Sequence, residues 1–96
     1  MKDDCKKETP KNISNMEEIR KIGQRISYYR RQRNMTQREL ANKANISISY
    51  ISKIESAGTD VTFSLLSLYQ IAEALGLEPY HLLMPVNEKF LSESKN

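Results

Sequence analysis

The sequence predicts an all-α domain of five helices. Two observations carry this. Apolar residues recur at three- and four-residue steps in successive stretches, the first four preceded by a hydroxyl or amide residue suited to a helix N-terminus. The one stretch written like a strand, Ile46-Ser47-Ile48-Ser49-Tyr50, finds no alternating partner elsewhere in the chain, so tertiary context should override its β-propensity. At 96 residues, 39% of them hydrophobic, the chain supports one small core.

The opening residues 1–15 are charged, mixed in sign and nearly free of apolar side chains, and are expected to form a disordered or loosely attached tail. A first helix is expected from Met16, where Ile19, Ile22, Ile26 and Tyr29 make an apolar stripe, with Asn15 or Ser14 as cap and a stop near Asn34. Thr36 opens a second helix, because Thr36-Gln37-Arg38-Glu39 is a capping box: the hydroxyl accepts from the amide of Glu39 and the Glu39 carboxylate reaches back. Leu40, Ala41 and Ala44 face inward, and Asn45 ends this helix in the left-handed conformation that asparagine tolerates.

The strand-like letters then become a third helix, over about 47–57, capped by Ser47 and pinned by Ile51 and Ile54. A fourth helix, capped by Thr62 or Ser64, buries Leu65, Leu68, Ile71, Ala72 and Leu75 and closes at Gly76. Pro79 starts a short fifth helix that Pro85 stops, and 86–96 form a C-terminal tail with Phe90 and Leu91 as its only anchors. The expected division is therefore a tail at 1–15, a domain at 16–85 and a tail at 86–96.

The net charge of +3 hides a gradient. Residues 1–15 carry four cations and three anions (+1), residues 16–55 nine and four (+5), and residues 56–96 two and five (−3). Six of the nine central cations are arginines, which fork onto phosphate better than lysine does, so the basic half suggests a polyanionic partner. The single cysteine, Cys5, allows no intrachain disulfide, and no apolar run is of bilayer or signal-peptide type; a cytoplasmic protein without membrane contact is expected.

The second and third helices, joined by a short turn, have helix-turn-helix geometry, in which the second member lies in the DNA major groove. With that motif placed, the chain resembles the lambda repressor and Cro type of helix-turn-helix, the XRE family. The matching blocks are IGQRISYYRR, TQRELANKA, YISKIE and IAEALGL, in that order, within residues 19–84. The resemblance implies a lambda repressor-like fold and a sequence-specific transcriptional regulator, most often a repressor in small proteins.

By position, the resemblance implies that Ser47, Ile48, Ser49 and Lys53 read bases. It implies phosphate contacts from Gln37, assisted by helix N-terminal amides, and from Thr36, Arg38, Lys43 and Tyr50. It also implies that Arg30 and Glu55 form a buried ion pair. Ile48 is apolar on a face that does not join the core, and in a major groove it suits a thymine methyl, while Ser49 and Lys53 suit base edges. Two departures stand out: Asn45 replaces the usual turn glycine, and the stretch from Ser56 to Gln70, with Ala57 before Gly58, is slightly longer than the common pattern.

One such domain reads few base pairs, so a homodimer on a pseudo-palindromic operator is expected, with half-site centres about 34–36 Å apart. The fifth helix and Phe90-Leu91 are its expected surface. His81 has no second His, Cys or Asp at ligand spacing and is expected to be an exposed helix residue; Tyr28 and Tyr29 read as helix packing residues. No acid, base, nucleophile or metal constellation points to an enzyme, and no cofactor is implied. The rival reading is a protein-interaction adaptor or antitoxin-type partner on the same fold.

Overall fold

The computed structural model describes residues 2–56 and 62–86, with side chains from Asn15 onward. Five helices follow one another: α1 (Lys2–Gln32), α2 (Gln37–Ala44), α3 (Ile48–Glu55), α4 (Leu65–Leu75) and α5 (Pro79–Leu83). No strand occurs among the described residues, and Ile46 to Tyr50 are the turn, cap and first residues of α3.

The caps are those the sequence encodes. Thr36 Oγ1 accepts from Glu39 N at 3.0 Å, and Thr36 N donates to Glu39 Oε1 at 2.8 Å, which closes the capping box of α2. Asn45 ends α2 with φ 61°, and its N–H together with that of Ile46 takes up the last carbonyls of the helix. Ser47 Oγ accepts from Tyr50 N at 3.1 Å, so a local hydrogen bond outweighs β-branched propensity. Ser64, rather than Thr62, caps α4, and Gly76 closes that helix with φ 74°.

Three expectations need correction. The first helix does not begin near Met16: its backbone runs from Lys2 to Gln32. Extending an existing helix needs no new nucleus and no apolar stripe, although Pro10, inside this span, has no N–H and leaves one bond out of the ladder. Leu65 is 68% exposed rather than buried; it stands in the first turn of α4 on the rim of an open groove beside Ile19 and Ile22. The third helix ends at Glu55 because Ser56 turns extended (φ −76°, ψ 125°); Ala57 and the Ala57-Gly58 departure lie outside the described residues.

One core joins the helices. Ile26 of α1, Leu40 of α2, Ile51 of α3, Ile71 of α4 and Leu82 of α5 are fully buried together. Each such side chain contributes about 1.5–3 kcal/mol by leaving water. Ile51 and Ile54 are thereby locked inward, and the helical repeat turns Ile48, Ser49, Ser52 and Lys53 outward.

Candidate nucleic-acid interface

The orientation of α3 is set from behind. Arg30, buried in α1, grips Glu55 at the end of α3 through two parallel bonds, Nε to Oε2 at 2.8 Å and Nη2 to Oε1 at 3.0 Å. Its Nη1 donates to the carbonyl of Met35 at 2.7 Å, so one guanidinium holds α1, the turn before α2 and α3 in register. The ion pair implied at Arg30 and Glu55 is present, and it is buried.

Gln37 completes this cluster. Its Nε2 donates to Glu55 Oε1 at 3.0 Å, which aims the side chain toward α3 and leaves its amide oxygen unassigned among the hydrogen bonds described. The half-buried Gln37 is the first residue of α2, so its backbone N–H is one of the unsatisfied donors that make a helix N-terminus receptive to phosphate. Exposed Thr36 has its hydroxyl engaged by the cap, and Arg38 extends from the same turn into solvent.

Along α3 the outward residues form one surface. Ile48 is 38% exposed although it is large and apolar; Ser49, Ser52 and Lys53 are exposed beside it. Ser47 is exposed at the cap, where its oxygen serves Tyr50 N, and Tyr50 is half-buried against the core. Ser52 is absent from the sequence-derived set. The signal was present, since Ser52 follows Ile48 by four residues and Ser49 by three, the spacing of one helix face. Lys43 stands apart: it borders an opening with Glu39, Glu73 and Gly76, which places it beside the end of α4 rather than beside Ser49 and Lys53.

The arginine richness of residues 16–55 is partly architectural. Arg25 Nη1 donates to the carbonyl of Leu82 at 3.0 Å, Arg30 serves Glu55, and Arg33 Nε caps the carbonyl of Leu75 while its guanidinium lies 5.5 Å from the Tyr29 ring centre. Three of the six central arginines thus hold helices together. The complementary fact is that Ile54 to Glu88 contain neither Lys nor Arg, so the cationic and cation-free parts of the chain remain sharply separated.

Among the described residues, no group of three or more His, Cys, Asp or Glu is placed to hold a metal ion, and no helix is long and apolar enough to cross a membrane. His81 is half-buried at the start of α5, where its Nδ1 accepts from Glu78 N at 3.1 Å; its role there is a local cap.

Comparison with known proteins agrees with this geometry. The immunity repressor protein of Bacillus phage phi105 is 44% identical over 57 residues, which cover 59% of this chain and 38% of the phage protein. An uncharacterized HTH-type transcriptional regulator, y4dJ, of Sinorhizobium fredii (strain NBRC 101917 / NGR234) is 30% identical over 67 residues, covering 70% of this chain and 84% of that protein. The chain therefore spans well under half of the phage repressor and most of the second relative. No solved structure matches. The helix-turn-helix domain family matches residues 23–88, which take in α2, the turn, α3 and both following helices, and the chain belongs to that family.

Proposed function

We propose that this protein is a sequence-specific double-stranded DNA-binding transcriptional regulator, acting as a repressor in the cytoplasm, with α3 in the major groove. The observation that carries the reading is the outward face of α3. Ile48, Ser49, Ser52 and Lys53 share one exposed surface while Ile51, Ile54 and Glu55 fix the opposite side. An isoleucine exposed beside two serines and a lysine suits a groove, which offers thymine methyls and base-edge acceptors. Ser47 joins this set through the hydroxyl hydrogen left after capping. Gln37, Thr36, Arg38 and Tyr50 flank it as phosphate contacts, and Lys43 takes a peripheral one. The names of both relatives support regulation of transcription, and that of the phage protein supports repression.

The functional unit is residues 16–85, used as a homodimer on a pseudo-palindromic operator. Tyr80, Leu83 and Met84 are each more than half exposed on and just after α5, which supports that helix as the dimer surface. Phe90 and Leu91, the other expected anchors, lie outside the described residues. Selection from a random duplex pool, then titration of the selected site at two salt concentrations, tests the reading. A palindromic site whose affinity falls steeply with salt supports it. Enrichment of no sequence overturns it in favour of an adaptor or antitoxin-type partner.

A further inference from the structure

Two arginines of α1 are equally buried, each 8% exposed, yet they are answered differently. Arg30 meets a carboxylate through a two-bond fork. Arg25 meets one backbone carbonyl, that of Leu82 at 3.0 Å, and no carboxylate among the described residues. Burying a guanidinium is costly unless its charge is matched, and a single carbonyl matches little of it. Arg25 also lines an open depression of about 500 Å³ between α1 and the residues that follow α5. Lys21 and Glu18 stand at its edge, paired at 3.1 Å, and Tyr28, Pro85 and Val86 supply apolar wall.

We infer that this depression is a binding site for a small monocarboxylate with a short apolar or aromatic body. Among the described residues the charged lining sums to one positive charge, from Lys21 and Arg25 against Glu18, which suits a monoanion. A planar guanidinium matches a carboxylate oxygen pair, and the flanking ring, proline and valine suit a hydrocarbon portion. A dianionic phosphate is disfavoured by Glu18 and by the apolar walls. The site is distinct from the outward face of α3, and nothing in the DNA reading requires it.

The test is an amide chemical-shift titration of the whole chain with benzoate and hexanoate, using benzamide and inorganic phosphate as controls. Saturable shifts at Lys21, Gln24, Arg25 and Val86 are expected with both acids. Lys21→Gln should weaken binding by roughly 1.5-fold to fivefold, the range of one exposed charge contact, and Glu18→Gln should tighten it by removing a competing carboxylate. Arg25→Lys should weaken it further by losing the fork. Because Arg25 also anchors α5, the two surface variants keep the test decisive if the Arg25 variant fails to fold. No saturable shift, equal binding of benzamide, tighter binding of phosphate, or affinities unmoved by both Lys21→Gln and Glu18→Gln would each overturn the assignment.

Discussion

A Cβ placed on Gly23 would stand 2.1 Å from the carbonyl oxygen of Ile54. The backbones of α1 and α3 touch at this point, and the contact that a side chain would break is with main chain, which cannot swing aside. Gly23→Ala should therefore destabilise the fold by about 1–3 kcal/mol, despite alanine being the better helix former by about 1 kcal/mol. Chemical denaturation measures this; a stabilised variant would contradict the backbone contact between α1 and α3 at Gly23.

Glu55 receives Arg30 and Gln37 together, so removing its charge leaves a buried guanidinium with only the Met35 carbonyl. Glu55→Ala should cost about 3–5 kcal/mol. Gln37→Ala removes a single donor from a carboxylate that keeps its arginine, so its stability loss should stay near 1 kcal/mol. Thermal unfolding of the two variants side by side should show that ordering, and a larger loss for Gln37→Ala would contradict it.

Asn45 holds φ 61° at the end of α2, a conformation that strains residues with a Cβ and leaves glycine free. Asn45→Gly should be neutral or stabilising by a few tenths of a kcal/mol, and Asn45→Ala should cost about 1 kcal/mol. Equal stability of the glycine and alanine variants would remove the left-handed turn as the reason for this residue.

On DNA, Lys53→Ala and Ile48→Ala should change which bases are preferred, each by about 1–3 kcal/mol at the affected position, while Gln37→Ala should weaken all sequences nearly equally. Ser52, exposed on the same face, should behave as a specificity position as well. Binding-site selection repeated with each variant separates the two classes; uniform weakening by Lys53→Ala would reassign it to phosphate.

For assembly, Leu83→Glu and Tyr80→Glu place charges on the exposed side of α5, 53% and 55% exposed in the single chain. If the proposed dimer forms through α5, sedimentation should show each variant as a monomer with the helical spectrum retained. A dimer that survives both changes would move the interface elsewhere, with Leu65, Leu66 and Tyr69 of α4 the next exposed apolar group.

What the sequence determined by itself is what local chemistry encodes. The hydroxyls of Thr36, Ser47 and Ser64, the left-handed residues Asn45 and Gly76, and the apolar repeats place α2 through α5 within a residue or two, since each signal acts over only a few positions along the chain. The outward placement of Ile48, Ser49 and Lys53 was legible for the same reason: once Ile51 and Ile54 face the core, helical geometry leaves no other choice. The pairing of Arg30 with Glu55 came from resemblance, because nothing within a few residues of either names the other. Only the tertiary structure decided that Gly23 must lack a side chain, that Gln37 turns toward Glu55, that Arg25 and Arg33 cap α5 and α4, and that Leu65 stands outside the core. Each of these depends on how two helices meet, and residues distant in sequence meet through packing, which no local period records.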